Sequence, residues 1–325
     1  MIPVTPLAPL AAPLAAWMGL AAPSSPASGP PCAACVTWRA EPSVAARLLD
    51  PPGSLAGLDV VVSAAAGTRA EAMAVARALA ARGAAVALEV ALDGAEDFGT
   101  LAQDVAAGAA AAPRVVLRLP ADGVAGDELV FRVRTRATAV RAASPSAAVG
   151  LAGPPALLAA IAAREVAPYV SFAVADDPAA PPATRAIEWW RSAAPAHSVS
   201  AVLTETSASA ARVVFPLVAD DVAVARAVAR LADLLPAGLT PLGSVTVCPA
   251  DQTACAAAAF LHPGTLEAIA LMDSPALLRI RPGATQAAAR PLGGGRDVSL
   301  ALARTPGGTD VDARALTGPF VLHAA

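Results

Sequence analysis

The sequence predicts an α/β protein in which a (β/α)8 TIM-like barrel is followed by a small all-β sandwich domain. Short apolar segments with polar tips alternate with helical segments over residues 32–238, which is the order of elements in a parallel barrel. After Pro241 the apolar residues recur with a period of two, and turn residues replace the helices. We therefore expect a leader and Pro-rich spacer over residues 1–31, a barrel over residues 32–238 and a β-sandwich over residues 239–325.

The clearest βα unit of the barrel combines a strand at 58–63 with a helix at 68–82, which ends at Gly83. The same pattern repeats along the chain. Counting from Cys35, strands are expected near residues 36, 60, 87, 116, 149, 172, 202 and 215. Helices are expected at 43–49, 68–82, 97–111, 127–143, 154–165, 184–194 and 220–235.

The expected seventh strand, Ser198–Thr206, alternates small and β-branched residues and ends beside Glu205. Only residues 207–211 separate it from the eighth strand, whereas a parallel crossover normally needs about a dozen residues. Either this unit lacks its helix or one of the two strands is misassigned. An open doubly wound sheet is the alternative architecture. It is less favoured because no Gly-rich phosphate-binding loop follows the second strand.

The C-terminal segment carries the pattern of an all-β domain. Turn signals such as His262-Pro-Gly264 and Gly293-Gly-Gly295 separate short runs of alternating apolar residues. Strands are expected at 244–248, 257–261, 266–272, 277–281, 298–302 and 320–323. Strands of this kind without intervening helices are typical of a β-sandwich.

Charge argues against one class of partner. The chain has 325 residues and a net charge of −3, and all 23 basic residues are arginines. Binding a phosphate backbone requires a basic stripe. The closest candidate, Arg132, Arg134 and Arg136, fans around a helical segment and does not form one face. We therefore expect no nucleic-acid partner.

The N-terminus has features of an export signal. A short apolar run at 7–22 is followed by a spacer rich in Ser, Pro, Gly and Ala. The run is interrupted by Pro9 and Pro13 and is shorter than the ~20 residues that span a bilayer. No transmembrane segment is expected later in the chain either. We expect a secreted, periplasmic or cell-surface protein, with a disordered cytoplasmic leader as the alternative.

The cysteines and histidines suggest disulfides rather than a metal site. In an exported protein the close pairs Cys32/Cys35 and Cys248/Cys255 would form two local disulfides. The histidines have no metal-ligand spacing, and no cofactor or metal is expected. They are His197, His262 and His323.

Sites in (β/α)8 barrels lie at the C-terminal ends of the strands, so polar residues at those ends are the candidates for function. They are Glu89 and Asp93 on the third strand, Arg118 on the fourth, Asp176 and Asp177 on the sixth, and Glu205 on the seventh.

An exported barrel followed by a β-sandwich resembles many glycoside hydrolases, over residues 35–325 and as architecture rather than as motif. The resemblance implies a carbohydrate ligand and a pair of carboxylates flanking a sugar bond. Glu205 matches the nucleophile that ends the seventh strand in the largest clan of such barrels, and Asp176 or Asp177 would be its catalytic partner. The fourth strand, ending Leu117–Pro120, lacks the Asn-Glu pair of that clan.

Three functions therefore stay open. The protein is an active glycosidase, a non-catalytic binding or assembly module with a cell-surface partner, or a cytoplasmic barrel enzyme that acts on a small metabolite. Free cysteines would favour the last of these, because disulfides persist mainly outside the cytosol.

Overall fold

In a computed structural model of the chain, thirteen segments are described. They are residues 36–92, 113–164, 166–177, 187–207, 212–234, 240–241, 246–249, 260–261, 268–272, 277–281, 284–292, 295–316 and 320–325. The predicted leader, the predicted helix at 97–111 and the turn at 262–264 lie outside these segments.

Eight parallel strands form a closed barrel in which each strand pairs with the next along the chain and β8 pairs with β1. This confirms the predicted TIM-like barrel. The strands are β1 (Val36–Ala40), β2 (Asp59–Ala64), β3 (Ala85–Ala91), β4 (Arg114–Arg118), β5 (Ala148–Gly153), β6 (Phe172–Ala175), β7 (Glu188–Ser192) and β8 (Arg212–Pro216).

Helices alternate with these strands, and the described part of the chain contains six α-helices. None of them combines the length and apolar composition needed to cross a membrane. The helices are α1 (Pro42–Arg47), α2 (Arg69–Ala81), α3 (Asp127–Ala143), α4 (Pro155–Ala162), α5 (Val199–Ser207) and α6 (Val222–Leu234).

The predicted seventh strand is wrong, and so is the helix predicted over 184–194. Trp189 and Trp190 lie in β7, whereas Val199–Thr206 is helical and forms most of α5. The Ser198 hydroxyl accepts a hydrogen bond from the Ala201 backbone N–H at 3.1 Å, as a residue at a helix N-terminus does. The exchange removes the short crossover, because α5 now connects β7 to β8.

The C-terminal part consists of small antiparallel sheets, as predicted for an all-β domain. One four-stranded sheet has the order β10–β13–β17–β16, a second has the order β12–β18–β14–β15, and β9 pairs with β11. The strands are β9 (Thr240–Pro241), β10 (Thr246–Pro249), β11 (Phe260–Leu261), β12 (Ala268–Met272), β13 (Leu277–Arg281), β14 (Ala287–Pro291), β15 (Val298–Ser299), β16 (Ala301–Thr305), β17 (Gly308–Asp312) and β18 (Phe320–Ala324).

The chain divides into two compact units. The barrel unit comprises Ala34–Pro195 and Ala211–Val222, and the other unit includes Ala196–Ala210 and Ala223–Ala325. The boundaries predicted at residues 31 and 238 stay predictions.

Apolar side chains fill the middle of the barrel. The rings of Phe172 and Trp190 stack with their centroids 4.1 Å apart. Gly150 on β5 makes room for them, because a Cβ atom at this position would lie 2.2 Å from the Phe172 ring. The other buried residues of this cluster are Val61, Ala87, Val116, Ala152, Val174 and Val214. A barrel packed in this way has no pore, so polar chemistry is confined to its two ends.

Charged residues close the N-terminal end of the barrel. Asp59, the first residue of β2, accepts hydrogen bonds from Arg114 at 2.8 and 2.7 Å and from Arg212 at 2.7 Å. Both guanidinium groups also lie over the Trp190 ring, at 5.8 and 4.6 Å from its centroid. Polar residues at this end of a barrel generally serve stability rather than function. We call Asp59, Arg114 and Arg212 the Asp59 cluster.

Candidate binding site at the C-terminal ends of the barrel strands

Five polar side chains from five strands meet at the C-terminal end of the barrel. We call them the mouth cluster, and they are Arg39 of β1, Ser63 of β2, Glu89 of β3, Arg118 of β4 and Asp176, which follows β6. The contacts join strands that are not neighbours in the sheet, such as β1 with β3 and β4 with β6. The side chains therefore point into the barrel and meet across its interior.

Glu89 is at the centre of this cluster. Its Oε1 atom accepts hydrogen bonds from Nη2 of Arg39 and, at 3.2 Å, from the Ser63 hydroxyl. Nε of Arg118 lies 3.7 Å from the same oxygen. Arg39 Nε also donates to the Ser63 hydroxyl at 3.4 Å. The contacts all converge on Oε1, and within the described segments Oε2 accepts no hydrogen bond from a side chain.

Asp176 completes a ring of four charges. Nη1 of Arg118 donates to both of its carboxylate oxygens at 2.8 Å. Nη1 of Arg39 lies 3.6 Å from Oδ1 of the same carboxylate. Each arginine therefore reaches both Glu89 and Asp176, and the positive and negative charges of the ring balance.

The cluster extends from the barrel interior toward solvent. The Glu89 side chain is 7% exposed, those of Arg39 and Arg118 are 20% and 26% exposed, and that of Asp176 is 37% exposed. A buried carboxylate is costly unless it is paired and hydrogen-bonded, and the two planar guanidinium groups supply that pairing. A ligand that approaches from solvent would meet Asp176 and the arginines before Glu89.

The local sequence explains how these side chains reach one place. Alternate strand residues face the same side of the sheet. Arg39 and Ser63 are each the next-to-last residue of an otherwise buried strand, and Arg118 is the last residue of β4. Parallel strands in a closed barrel bring all their C-terminal ends together.

The structure unites three of the residues predicted from sequence: Glu89, Arg118 and Asp176. It adds Arg39 and Ser63, which the sequence analysis missed. The available signal was the same for both, a single polar residue just before the end of a buried strand, in Trp38-Arg39-Ala40 and in Val62-Ser63-Ala64. That signal is weak without the partners that lie on other strands.

The other predicted site residues lie outside the mouth cluster or outside the described segments. Asp93 is outside the described segments. Asp177 is exposed beside Asp176. Glu205 is half-buried in α5 and is not at the end of a strand, so its predicted placement is wrong. The pairing of Glu205 with Asp176 or Asp177 was argued from neighbouring strands, and that argument no longer holds.

Within the described segments, no group of three His, Cys, Asp or Glu side chains could hold a metal ion. Three of the four cysteines, Cys32, Cys35 and Cys255, lie outside those segments, so the predicted disulfides stay predictions. No known protein family matches the chain, and no curated protein matches it either.

Proposed function

We propose that the barrel binds carbohydrate at the mouth cluster and does not hydrolyse it. The observation that carries this proposal is the combination of fixed donors and an available acceptor at the C-terminal strand ends. Arg39 and Arg118 present guanidinium N–H groups, and Glu89 keeps one carboxylate oxygen without a hydrogen bond in the described part of the chain.

This chemistry suits sugar hydroxyl groups. A hydroxyl donates one hydrogen bond and accepts others, so a carboxylate beside a guanidinium offers both partners at once. Hydrogen bonds to charged groups contribute about 1.5–3 kcal/mol each. The architecture supports the same ligand class, because the barrel and its antiparallel C-terminal sheets resemble the organisation of many glycoside hydrolases.

The pairing of the carboxylates favours binding over hydrolysis. Glycosidases use one carboxyl group as a proton donor and a second as nucleophile or base, on either side of the sugar bond. In the mouth cluster the same two arginines hold Glu89 and Asp176. Neither carboxylate stands apart from these arginines, as the proton donor of a glycosidase would.

Binding of the full chain to an array of neutral and acidic glycans tests the proposal, with Glu89→Gln as the variant. We expect a defined glycan class to bind the parent protein and Glu89→Gln to weaken this binding by at least about tenfold, since about 1.4 kcal/mol is tenfold. The control is Glu128→Gln, which removes the same charge from an exposed ion pair with Arg132 on α3. Near-ultraviolet circular dichroism would verify that both variants fold.

Three results would contradict the proposal. The first is an array on which the parent protein binds no glycan, and the second is a Glu89→Gln variant that binds glycans as the parent does. The third is turnover of aryl glycosides that Glu89→Gln abolishes, which would make the site catalytic. Glu205→Gln belongs in the same experiment, because a loss of binding in that variant alone would return the site to the residue predicted from sequence.

A further inference from the structure

Asp176 occupies a position in which two arginines converge on one carboxylate. Arg118 binds both of its oxygens at 2.8 Å, and Arg39 lies 3.6 Å from one of them. Planar guanidinium groups that converge in this way form a recognition site for carboxylates. Here a residue of the chain itself fills that site, and it is the most exposed member of the mouth cluster.

We infer that the ligand is an acidic sugar whose carboxylate takes the place of the Asp176 side chain on Arg39 and Arg118. This inference rests on the proposed carbohydrate function and names the class of sugar, the uronic acids. Asp176 would then act as an internal competitor that occupies the anion subsite until the ligand arrives.

The backbone makes this exchange a local event. The Asp176 N–H donates a hydrogen bond at 3.1 Å to the carbonyl of Gly153, the last residue of β5. Because the main chain is anchored there, rotation of one half-exposed side chain is enough to release Nη1 of Arg118 and Nη1 of Arg39, while both arginines stay bound to Glu89.

Charge balance sets the number of carboxylates that the subsite accepts. Glu89 is the deepest member of the cluster and is held by Arg39, Ser63 and Arg118, so it stays in place. Once Asp176 turns away, the two arginines and Glu89 carry one net positive charge. One ligand carboxylate restores neutrality. The remaining donors and acceptors of the mouth cluster can then bind the hydroxyl groups of the same sugar ring.

Titration calorimetry on the full chain tests this with a pair of probes, an oligogalacturonate and its methyl ester, in which each charged carboxylate is replaced by a neutral, methylated group. We expect the acid to bind the parent protein about tenfold more tightly than the ester, as charge-assisted hydrogen bonds imply. Asp176→Asn and Asp176→Ala should tighten binding of the acid by about twofold to fivefold, the range for a partly exposed ion pair, and leave the ester unchanged.

Two further variants separate a local effect from a general one. Asp127→Asn removes one carboxylate from an exposed pair with Arg164, and we expect it to leave the affinity for the acid unchanged. Arg118→Gln should abolish the preference for acid over ester. An oligoglucuronate and its methyl ester, run in parallel, cover the other common uronic acid.

The outcomes distinguish the inference from the proposed function. Equal binding of acid and ester, unaffected by the Asp176 variants, would overturn the anionic subsite and leave carbohydrate binding standing. Succinate serves as a carboxylate probe that is not a sugar. If it binds as tightly as the acid sugars, the carboxylate subsite is upheld and its assignment to sugars is overturned. An absence of binding by every probe to the parent and to both Asp176 variants would overturn the inference, and the glycan array would then decide the proposed function separately.

Discussion

Gly150 shows how one residue controls the filling of the barrel. Its missing side chain leaves space for the Phe172 ring, which stacks on Trp190. A methyl group here would overlap that ring, and overpacking of a filled core typically costs 1–3 kcal/mol. We therefore expect Gly150→Ala to lower the free energy of unfolding by about 2 kcal/mol or more, measured by urea unfolding.

A control and a rescue make this prediction specific. Gly67→Ala introduces the same methyl group where nothing lies within 4 Å, so it should leave stability nearly unchanged. Phe172→Leu combined with Gly150→Ala should recover part of the lost stability, because neighbouring core residues do not contribute additively. A Gly150→Ala protein as stable as the Gly67→Ala protein would show that the ring pair moves aside easily.

Asp59 provides the second residue-scale prediction, at the N-terminal end of the barrel. It is the shared counter-ion of Arg114 and Arg212, whose side chains are only 15% and 19% exposed. Removing one partner from a buried ion pair leaves an uncompensated charge and typically costs 3–5 kcal/mol. We expect Asp59→Asn to destabilise the barrel by about 3 kcal/mol.

Tryptophan fluorescence during urea unfolding is the suitable measurement, because the described tryptophans, Trp38, Trp189 and Trp190, all lie on barrel strands. Glu128→Gln, which breaks the exposed pair with Arg132 four residues away on α3, should cost no more than about 0.5 kcal/mol. Similar losses in the two variants would mean that the Asp59 cluster behaves as an ordinary surface pair.

The same residues show what sequence can and cannot reveal about a site. Glu89, Arg118 and Asp176 were predictable because each lies at or near the C-terminal end of an apolar strand, and strand ends converge in a barrel. Their pairing was not predictable, because Arg39 lies 50 residues from Glu89 and Arg118 lies 58 residues from Asp176. Only the closed sheet brings them together.

At the scale of elements, β7 and α5 show the limit of periodicity over short segments. The segment predicted as a helix contains β7, and the segment predicted as a strand forms α5. The segment from Ser198 alternates as a strand would, but among its side chains whose burial is described, Val199, Val202 and Thr206 are the buried ones. Their spacing of three and four residues is helical. The segment with paired tryptophans reads as a helix, yet Trp190 faces the barrel interior and stacks on Phe172.

The connection length was the better guide. A parallel crossover needs about a dozen residues, and the predicted seventh and eighth strands left too few between them. With β7 at Glu188–Ser192 and β8 at Arg212–Pro216, the intervening chain contains a complete helix. Topological constraints can therefore correct an element assignment that local pattern alone gets wrong.

An ion pair between strands of the C-terminal unit gives a prediction about pH. Arg279 of β13 lies directly opposite Asp310 of β17 and binds both of its oxygens, at 2.6 and 2.9 Å. These hydrogen bonds hold the pKa of Asp310 below its ordinary value of 3.8, against the opposing effect of desolvation. Farther along β17, hydrogen bonds from Arg314 lower the pKa of Asp312 to about 2.

The sign follows from the lowered pKa. The unfolded chain binds protons at higher pH than the folded chain does, so the stabilisation is present above the ordinary pKa and is lost as the pH falls through the folded value. We expect the coupling between Arg279 and Asp310 to shrink as the pH falls from about 5 to about 2. A double-mutant cycle with Arg279→Gln and Asp310→Asn, followed by circular dichroism in urea, measures it. A coupling that does not change over this range would contradict the assignment.

At the scale of the whole molecule, the order of strands and helices along the chain was the main basis for predicting the fold. Alternating strands and helices followed by strands alone indicate a parallel α/β fold and then an all-β part. The count of eight strands favours a barrel, and the structure has both parts. Three strands of the C-terminal part, β9, β14 and β17, were not predicted, and composition explains the last two. Residues Ala287–Pro291 are rich in alanine, and Gly308–Asp312 begins with glycine and carries two aspartates. Neither composition favours a strand, and both strands exist because of their partners on either side.

The compartment is the last whole-molecule property that can be tested. The pairs Cys32/Cys35 and Cys248/Cys255 are close enough in sequence to form local disulfides, and such bonds persist in oxidising compartments. We expect protein isolated from its own cells, denatured and alkylated at lysis, to carry no alkyl label on its cysteines and to release four reactive thiols on reduction. Closing loops this short should stabilise the fold by about 2 kcal/mol per disulfide in the chain-entropy model. Reduction should therefore lower the midpoint of urea unfolding. Four free thiols at lysis would instead favour a cytoplasmic barrel enzyme acting on a small metabolite, and would weaken the comparison with exported glycosidases that supports the choice of sugar ligands.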